Sequence, residues 1–460
     1  MERNALGFLK NWLTSVDRKP LVLRGARQVG KTWLVRHLAK TTGKRLVEIN
    51  FEKQPAQASL FAPNDPQQIL LNLRTALRQD INPLNSILFL DEIQAVPHLF
   101  AKLRWFYEDL PELPVIATGS LLEFLLAEHS FSMPVGRISY MHLEPLSFDE
   151  FLLANDMKAL YDYLLAYDFN IEIPISIHEQ LISLFKQYLL VGGLPAAVAS
   201  YTSERSFTKV SQIHHDLMAT YRDDFAKYSG RIAIERLDEV TMAIPKMLGQ
   251  KFVYNKVNPA VQSSTIKQSL NLLAKARVCH RVLSCSANGV PLGAEVNEKY
   301  FKAIFLDTGL SSAALGLSLT EINDTNEIVV INNGGISEQV VGQLLRTINP
   351  PYIEPSLYYW LRDEKGSSAE IDYILPFGSK VIPIEVKAGS SGSLKSLHLF
   401  MGLKKLPLAI RINSDLPSEV VVNVKDRLGD TIEYTLLSIP FYLISQINRL
   451  LTPEEPGQSR

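Results

Sequence analysis

Short, continuously apolar runs alternate with helical periodicity over the first 150 residues. Residues 21–23, 46–49, 87–90 and 115–117 are apolar on both faces, the pattern of parallel strands covered by helices on either side. Residues 5–16 and 31–40 predict helices, the first of them short and amphipathic. Residues 151–235 read as mostly helical, broken at Gly192-Gly193-Leu194-Pro195 after the apolar run 188–191. From 242 to 249 a helical stretch ends on Gly249. A second helix is expected over 265–275, capped by Ser263 or Ser264, with Ile266, Leu270 and Leu273 on one face. Residues 277–283 alternate like a strand, and 286–291 read as a loop. The stretch 330–450 opens with a helix whose Val341, Leu344, Leu345 and Ile348 share a side. Strands over 357–361, 369–375 and 381–387 follow, with turn signals at 364–366 and 377–379, then a helix over 394–401. No internal repeat is visible.

Composition adds bounds. The 460 residues have 46% hydrophobic and 21% charged positions, ordinary for a folded protein and unlike a disordered or fibrous one. Cys279 and Cys285 are too few for a disulfide framework or a four-cysteine zinc site and read as small buried hydrophobes. The nine histidines show no zinc-ligand spacing; His214 and His215 are adjacent and point to different helix faces. No signal-peptide core is present and no apolar run approaches the ~20 residues of a membrane span, so the cytoplasm is the expected location and no membrane partner is expected.

The net charge of −1 argues at first against nucleic acid. It conceals a local excess. Residues 240–294 contain no Asp or Glu but carry Lys246, Lys251, Lys256, Lys267, Lys275, Arg277 and Arg281, a local charge of +7 that leaves about −8 elsewhere. Helix, turn, helix, strand, loop is the order of a winged helix. Its second helix offers Lys267, Gln268, Asn271 and Lys275 to phosphates and base edges, so double-stranded DNA is the expected partner. The same fold also serves for packing or protein contacts, with the lysines simply solvated.

The most specific pattern is Gly25-Ala26-Arg27-Gln28-Val29-Gly30-Lys31-Thr32, a G-x-x-x-x-G-K-T loop between a strand and a helix. Such a loop can surround a polyphosphate with backbone N–H groups, aided by the positive end of the following helix. Lys31 is placed for the β- and γ-phosphates and the Thr32 hydroxyl for Mg²⁺. ATP and Mg²⁺ are therefore the expected ligands. Asp91 and Glu92 close an apolar strand at the end where ligands bind in open α/β sheets. Asp91 is expected to hold Mg²⁺ and Glu92 to deprotonate the attacking water. After the next strand, Ser120 or Thr118 is a candidate γ-phosphate sensor or helix cap. Arg137 is a candidate for transition-state charge, with surface ion pairing as the alternative.

These motifs, together with Leu90-Asp91-Glu92-Ile93-Gln94, Thr118-Gly119-Ser120 and Gly136-Arg137, resemble the AAA-like P-loop ATPases of bacteria and archaea. There the ATPase is usually followed by a conserved domain of uncharacterised function. Gly192-Gly193-Leu194-Pro195 and Phe305-Leu306-Asp307-Thr308-Gly309-Leu310 are also similar to that family. The resemblance implies ATP binding, hydrolysis and a C-terminal region of restriction-endonuclease-like fold.

In that region Glu338 lies on a helix, Asp372 on one arm of a hairpin, and Glu385 and Lys387 on one face of the other. Asp372 and Glu385 could ligate one Mg²⁺, with Lys387 orienting a water and Glu338 completing the shell. Acid on helix, Asp, then Glu-x-Lys resembles the PD-(D/E)xK nucleases. The usual proline before the first acid is absent, Ile371 standing there instead. An exposed hairpin with paired acids is the plainer alternative.

The expected fold is therefore α/β. It comprises a parallel P-loop NTPase sheet (1–150), a helical lid or connector (151–235), a winged helix (236–305), a small α/β restriction-endonuclease-like domain (306–450) and a disordered tail (451–460). The expected function is ATP hydrolysis coupled to DNA binding, with Mg²⁺-dependent cleavage by the last domain and a homo-oligomer open as the working form. The alternative is an ATP-gated regulator or chaperone-like signalling ATPase that acts on DNA or protein without cutting.

Overall fold

The computed structural model describes residues 1–119, 134–225, 232–317, 334–364, 367–387, 393–425 and 429–452. The chain divides into two compact units. Unit 1 comprises Met1–Glu144 with two short segments from far downstream, Lys275–Arg277 and Pro350–Glu354. Unit 2 takes Pro145–Ala274, Val278–Asn349 and Pro355–Arg460.

Among the described residues of unit 1, five strands form a parallel sheet in the order β2-β3-β4-β1-β5. They are β1 (Leu21–Arg24), β2 (Arg45–Asn50), β3 (Ser86–Asp91), β4 (Val115–Thr118) and β5 (Ser139–His142). The four expected strands are present, each extended by a residue or two. Both faces of β3 and β4 are buried, as a doubly covered sheet requires. Helix α1 (Ala5–Thr14) buries Leu9, Trp12 and Leu13. Helix α2 (Lys31–Thr42) buries Leu34, Val35, Leu38 and Ala39, one stripe at helical spacing. Helices α3 (Pro66–Leu77) and α4 (Leu99–Asp109) add Ile69, Leu73, Phe100 and Leu103 to a core shared with Val22, Leu88 and Leu90. The order matters for the site: β4 lies between β1 and β3, so it separates the strand leading to the P-loop from the strand ending at Asp91.

Unit 2 holds an eight-stranded mixed sheet among its described residues, in the order β12-β13-β11-β10-β9-β8-β6-β7. Its strands are β6 (Cys279–Cys285), β7 (Val296–Phe305), β8 (Leu357–Glu364), β9 (Ser367–Phe377), β10 (Lys380–Val386), β11 (Leu408–Asn413), β12 (Ser418–Lys425) and β13 (Thr431–Pro440). The helices α5 (Phe148–Ala154), α6 (Lys158–Ala166), α7 (Ile175–Val191), α8 (Pro195–Glu204) and α9 (Phe207–Phe225) occupy most of the described residues between 148 and 225, where the sequence reads as mostly helical. Then come α10 (Ile234–Lys246), α11 (Tyr254–Val257) and α12 (Ser263–Lys275), followed by the antiparallel β6–β7 pair. The helix expected over 265–275 and the strand expected over 277–283 are present, while the helix expected over 242–249 lies earlier, at 234–246, with the short α11 between them. The β6–β7 pair is not separate, however. Strand β6 also pairs in parallel with β8, so the hairpin forms one edge of the sheet that carries the C-terminal strands. Helix α13 (Thr308–Ala314) precedes α14 (Gly335–Leu345), and α15 (Lys395–Lys404) follows β10.

The two downstream motifs of unassigned chemistry meet each other. Gly192 has φ +75, and a Cβ there would collide with the Asp307 carboxylate. The Gly193 N–H donates to Asp307 Oδ2 at 2.7 Å, and Asp307 Oδ1 caps α13 by accepting from Gly309 N at 2.9 Å. Gln343 Nε2 donates to the same carboxylate at 3.1 Å. The fully buried Asp307 is thus surrounded by donors. Burial still lifts its carboxyl to about 6 against those hydrogen bonds. Gln339 joins this hub to β7: its side chain accepts from Phe305 N at 2.7 Å and donates to Phe305 O at 2.9 Å. These motifs are a backbone junction.

Cys279 and Cys285 are free and buried. No helix of the described residues is long and apolar enough to cross a membrane.

Candidate functional site: two charged centres

The first centre lies at the C-terminal ends of β1, β3 and β4. The loop after β1 turns sharply because Gly25 lacks a side chain; a Cβ there would strike the Leu143 carbonyl. The Arg3 guanidinium, itself buried, braces the loop from α1's approach. It donates to Val29 O at 2.9 Å and to Glu144 O at 2.7 Å. Nothing in the local sequence marked Arg3, because its acceptors are main-chain carbonyls far along the chain. Lys31 lies at the start of α2 and is only 8% exposed. Its ammonium donates to the loop's own carbonyls, Gly25 O at 2.9 Å and Ala26 O at 2.8 Å. Burial pulls its pKa down to about 8; Glu92 and Asp91 oppose that, while Arg27 and Arg277 add to it.

Asp91 is buried and held by neutral donors. Thr118 Oγ1 donates to its Oδ1, Asn50 Nδ2 donates to Oδ2 at 3.0 Å, and Thr32 Oγ1 lies 3.3 Å from Oδ2. The Thr32 hydroxyl and the Asp91 carboxylate, one oxygen donor beside another, suit a Mg²⁺ ion with hard oxygen ligands. Thr118 ends the strand inserted between β1 and β3, which explains its reach to Asp91. Ser120, the other candidate, lies outside the described residues. Glu92 has a left-handed backbone (φ +51), uncommon for a non-glycine residue and a form of strain found at functional sites. Its Oε2 accepts from Gln94 Nε2 at 2.5 Å.

Arg137 forms an exposed ion pair with Glu108, Nε to Oε1 at 2.8 Å, beside the Arg104–Glu108 pair. That is the plainer of the two expectations for it. Arg277 departs from the sequence reading altogether. It is not part of a basic face open to DNA but is 6% exposed inside unit 1. Its Nη2 donates to Glu354 Oε1 at 2.9 Å and to His142 Nδ1 at 3.2 Å, and its Nη1 lies 3.6 Å from Glu144 Oε1. Burial and then Arg277 itself hold His142 down at about 4, so the ring is a neutral acceptor.

The AAA domain family matches residues 17–152, from just before β1 to within α5. Unit 1 is an AAA-like P-loop ATPase domain. Two families, each described as a domain of unknown function, match residues 182–321 (DUF8612) and 333–442 (DUF4143). No curated protein matches the chain. Solved structures similar to it include the Walker-type ATPase of Pyrococcus abyssi, 16% identical with a TM-score of 0.43 over 68% of this chain and 95% of that one. The Aeropyrum pernix Orc1 protein in complex with DNA is 12% identical, TM-score 0.25, over 68% and 91%. The Thermotoga maritima RuvB Holliday junction branch migration motor is 16% identical, TM-score 0.27, over 68% and 93%. These scores are too low to carry the assignment, which rests on the family match and the loop geometry.

The second centre lies within unit 2, on β7, β9, β10 and α14. Strands β9 and β10 are antiparallel with Tyr373 opposite Ile384, which sets Asp372 and Glu385 on facing positions of neighbouring strands. Asp372 Oδ2 accepts from Val386 N at 2.8 Å. Lys387 Nζ donates to Glu385 Oε1 at 2.6 Å. Glu385 is 5% exposed, and its Oε2 has no hydrogen-bond partner among the described residues. Two residues absent from the sequence expectation join them. Lys302 of β7, 3% exposed, lies 2.9 Å from Glu338 Oε2, is ion-paired to Glu370 Oε1, and is 3.6 Å from Asp372 Oδ1.

Burial, then the nearby Asp372, raises Glu338 to about 7 against the pull of Lys302, and raises Glu385 to about 7 against that of Lys387. Burial alone would depress Lys302, but Glu338, Asp372 and Glu370 outweigh it and hold the ammonium well above the ordinary lysine range. Among the described residues no three His, Cys, Asp or Glu side chains converge as a metal-holding set. The expected residues Glu338, Asp372, Glu385 and Lys387 are thus brought together, but around a lysine.

On α12 and the segments before it, Lys246, Lys256, Lys267, Gln268 and Lys275 are exposed. Arg281 is not: it donates to Asn271 Oδ1 and lies over the Phe301 ring at 5.1 Å.

Proposed function

We propose that this protein hydrolyses ATP in unit 1 and, in unit 2, binds duplex DNA and cleaves phosphodiester bonds at a divalent-metal centre. In unit 1 the ammonium of Lys31 exchanges its two loop carbonyls for phosphate oxygens. The Gly25–Thr32 loop and the start of α2 supply N–H donors to the same phosphates. Thr32 and Asp91 would hold Mg²⁺. Glu92 takes the proton of the water that attacks the γ-phosphorus, as the bond to the ADP oxygen breaks. Thr118 couples the state of Asp91 to the end of β4.

In unit 2 Asp372 and Glu385 would hold the metal, and the unpartnered Glu385 Oε2 is the observation that carries this reading. A divalent ion there supplies Lewis acidity toward a bridging phosphate. Lys387 orients the water and offsets charge on the pentacovalent phosphorus. The exposed Lys246, Lys256 and Lys267 of unit 2 provide attraction to the phosphate backbone.

A supercoiled plasmid incubated with Mg²⁺ or Mn²⁺ tests the cleavage. Wild type should nick it, and Asp372→Asn and Glu385→Gln should not. No nicking by wild type at any metal concentration would sink it. One observation favours the second reading, an ATP-gated binder that does not cut: the acids surround Lys302. Under that reading duplex binding persists, salt-dependent, without cleavage.

A further inference from the structure

The acids of the second centre are unevenly committed. Glu338 and Glu370 both face Lys302, whose ammonium is all but inaccessible to solvent. Asp372 is split, one oxygen on the Val386 amide and the other 3.6 Å from Lys302. Glu385 gives one oxygen to Lys387 and leaves the other with no partner, although the residue is 5% exposed. A buried carboxylate oxygen without a donor costs free energy unless something cationic meets it. The unpartnered acceptor is therefore on the Asp372–Glu385 side. The Glu338–Glu370 side already has its cation, held by three carboxylates in the manner of a metal.

We propose that Lys302 is a built-in cation standing where a second metal ion would otherwise bind, so that this centre takes a single divalent ion, between Asp372 and Glu385. This rests on the metal-centre reading above and narrows it to one ion per chain. Phosphodiester cleavage with paired metals uses one ion for the attacking oxygen and another for the leaving oxygen. Here the Lys302 ammonium fills the second position as a permanent charge. Lys302 is a positioning residue: it fixes Glu338 and Glu370 and confines the ion to the other two acids.

The test counts Mn²⁺ bound to the full chain without nucleotide, from the electron paramagnetic resonance signal of free Mn²⁺, with Asp372→Asn as the reference. Wild type should bind one ion more than Asp372→Asn. Lys302→Gln should bind two more. Because Lys302→Gln leaves buried acids uncompensated and can fail to fold, the charge-balanced Lys302→Gln/Glu370→Gln variant is measured beside it and should also bind two. Two ions on wild type would overturn the inference while leaving the metal centre standing. So would a count of one in a folded Lys302 variant, or an ion that binds only once Lys302 is removed. No difference between wild type, the Lys302 variants and Asp372→Asn would overturn the metal-centre reading itself.

Discussion

Both centres set acids beside a lysine, but they satisfy the acids differently. In unit 1 Asp91 is held by two hydroxyls and an amide, all neutral, and Lys31 is turned onto main-chain carbonyls. The negative charge of Asp91 is hydrogen-bonded but not neutralised. In unit 2 the acids are met by ammonium groups, Lys302 and Lys387. Neutral donors keep a buried carboxylate in place and leave it a strong ligand for a cation. A cationic donor consumes that capacity. A lysine among acids is therefore weak grounds for a metal site unless an oxygen is left over, as Glu385 Oε2 is.

The largest expected effect that would break this contrast is at Lys31. Lys31→Ala should weaken ATP binding by about 3 kcal/mol or more, roughly 100-fold in Kd, in an equilibrium-dialysis assay. Wild-type affinity in that variant would mean the ammonium stays on the loop carbonyls. Glu92→Gln should lower ATP turnover by about 10²–10⁴-fold with Kd unchanged, read by phosphate release against nucleotide binding. A change in Kd alone would remove Glu92 from the chemistry.

Stability should separate the two kinds of acid partner. Lys302→Met strands three carboxylates and should cost about 2–4 kcal/mol in urea unfolding, below the value for a fully buried pair because the acids are partly exposed. Thr118→Val removes one neutral donor and should cost about 1–2 kcal/mol. Equal costs would erase the distinction.

Acidity offers a finer test. Lys31 sits at about 8 and must be charged to hold phosphate. ATP affinity should be flat below pH 8 and fall as pH rises through it, by up to about tenfold per unit. Lys302 is held far above that range, so Mn²⁺ stoichiometry at the second centre should not change between pH 8 and pH 9, above the region near 7 where Glu338 and Glu385 titrate. The smallest effects belong to the exposed face: Lys267→Ala and Lys275→Ala should each reduce the salt slope of duplex binding by about one. A slope that does not move would assign those lysines to solvent.

Much of the first unit was legible because its signals are local. The strands are apolar on both faces, and the phosphate loop is contiguous in sequence. The insertion of β4 between β1 and β3 was not legible, since strand order is set by crossovers rather than by any residue. The assignment of Asp91's partner therefore waited on the fold to point to Thr118. Arg277 shows the opposite failure. It sits in a stretch without acids, and its partners Glu354 and His142 are 77 and 135 residues away. A locally unbalanced charge says nothing about remote compensation. Lys302 was missed for the same reason: its acids lie on α14 and β9, in sequence that reads as a separate domain. The neighbouring placement of Asp372, Glu385 and Lys387 was legible because a hairpin fixes their spacing.

Unit 1 is closed by Lys275–Arg277 and Pro350–Glu354. During synthesis the P-loop and its five strands therefore emerge long before the Arg277–Glu354 pair can form beside them. Until residue 354 has left the ribosome, Glu144 and His142 lack the arrangement that the finished unit gives them, and a fragment ending after β5 would never acquire it. A newborn chain is in this way kept from a complete nucleotide domain until most of the second unit has also been made.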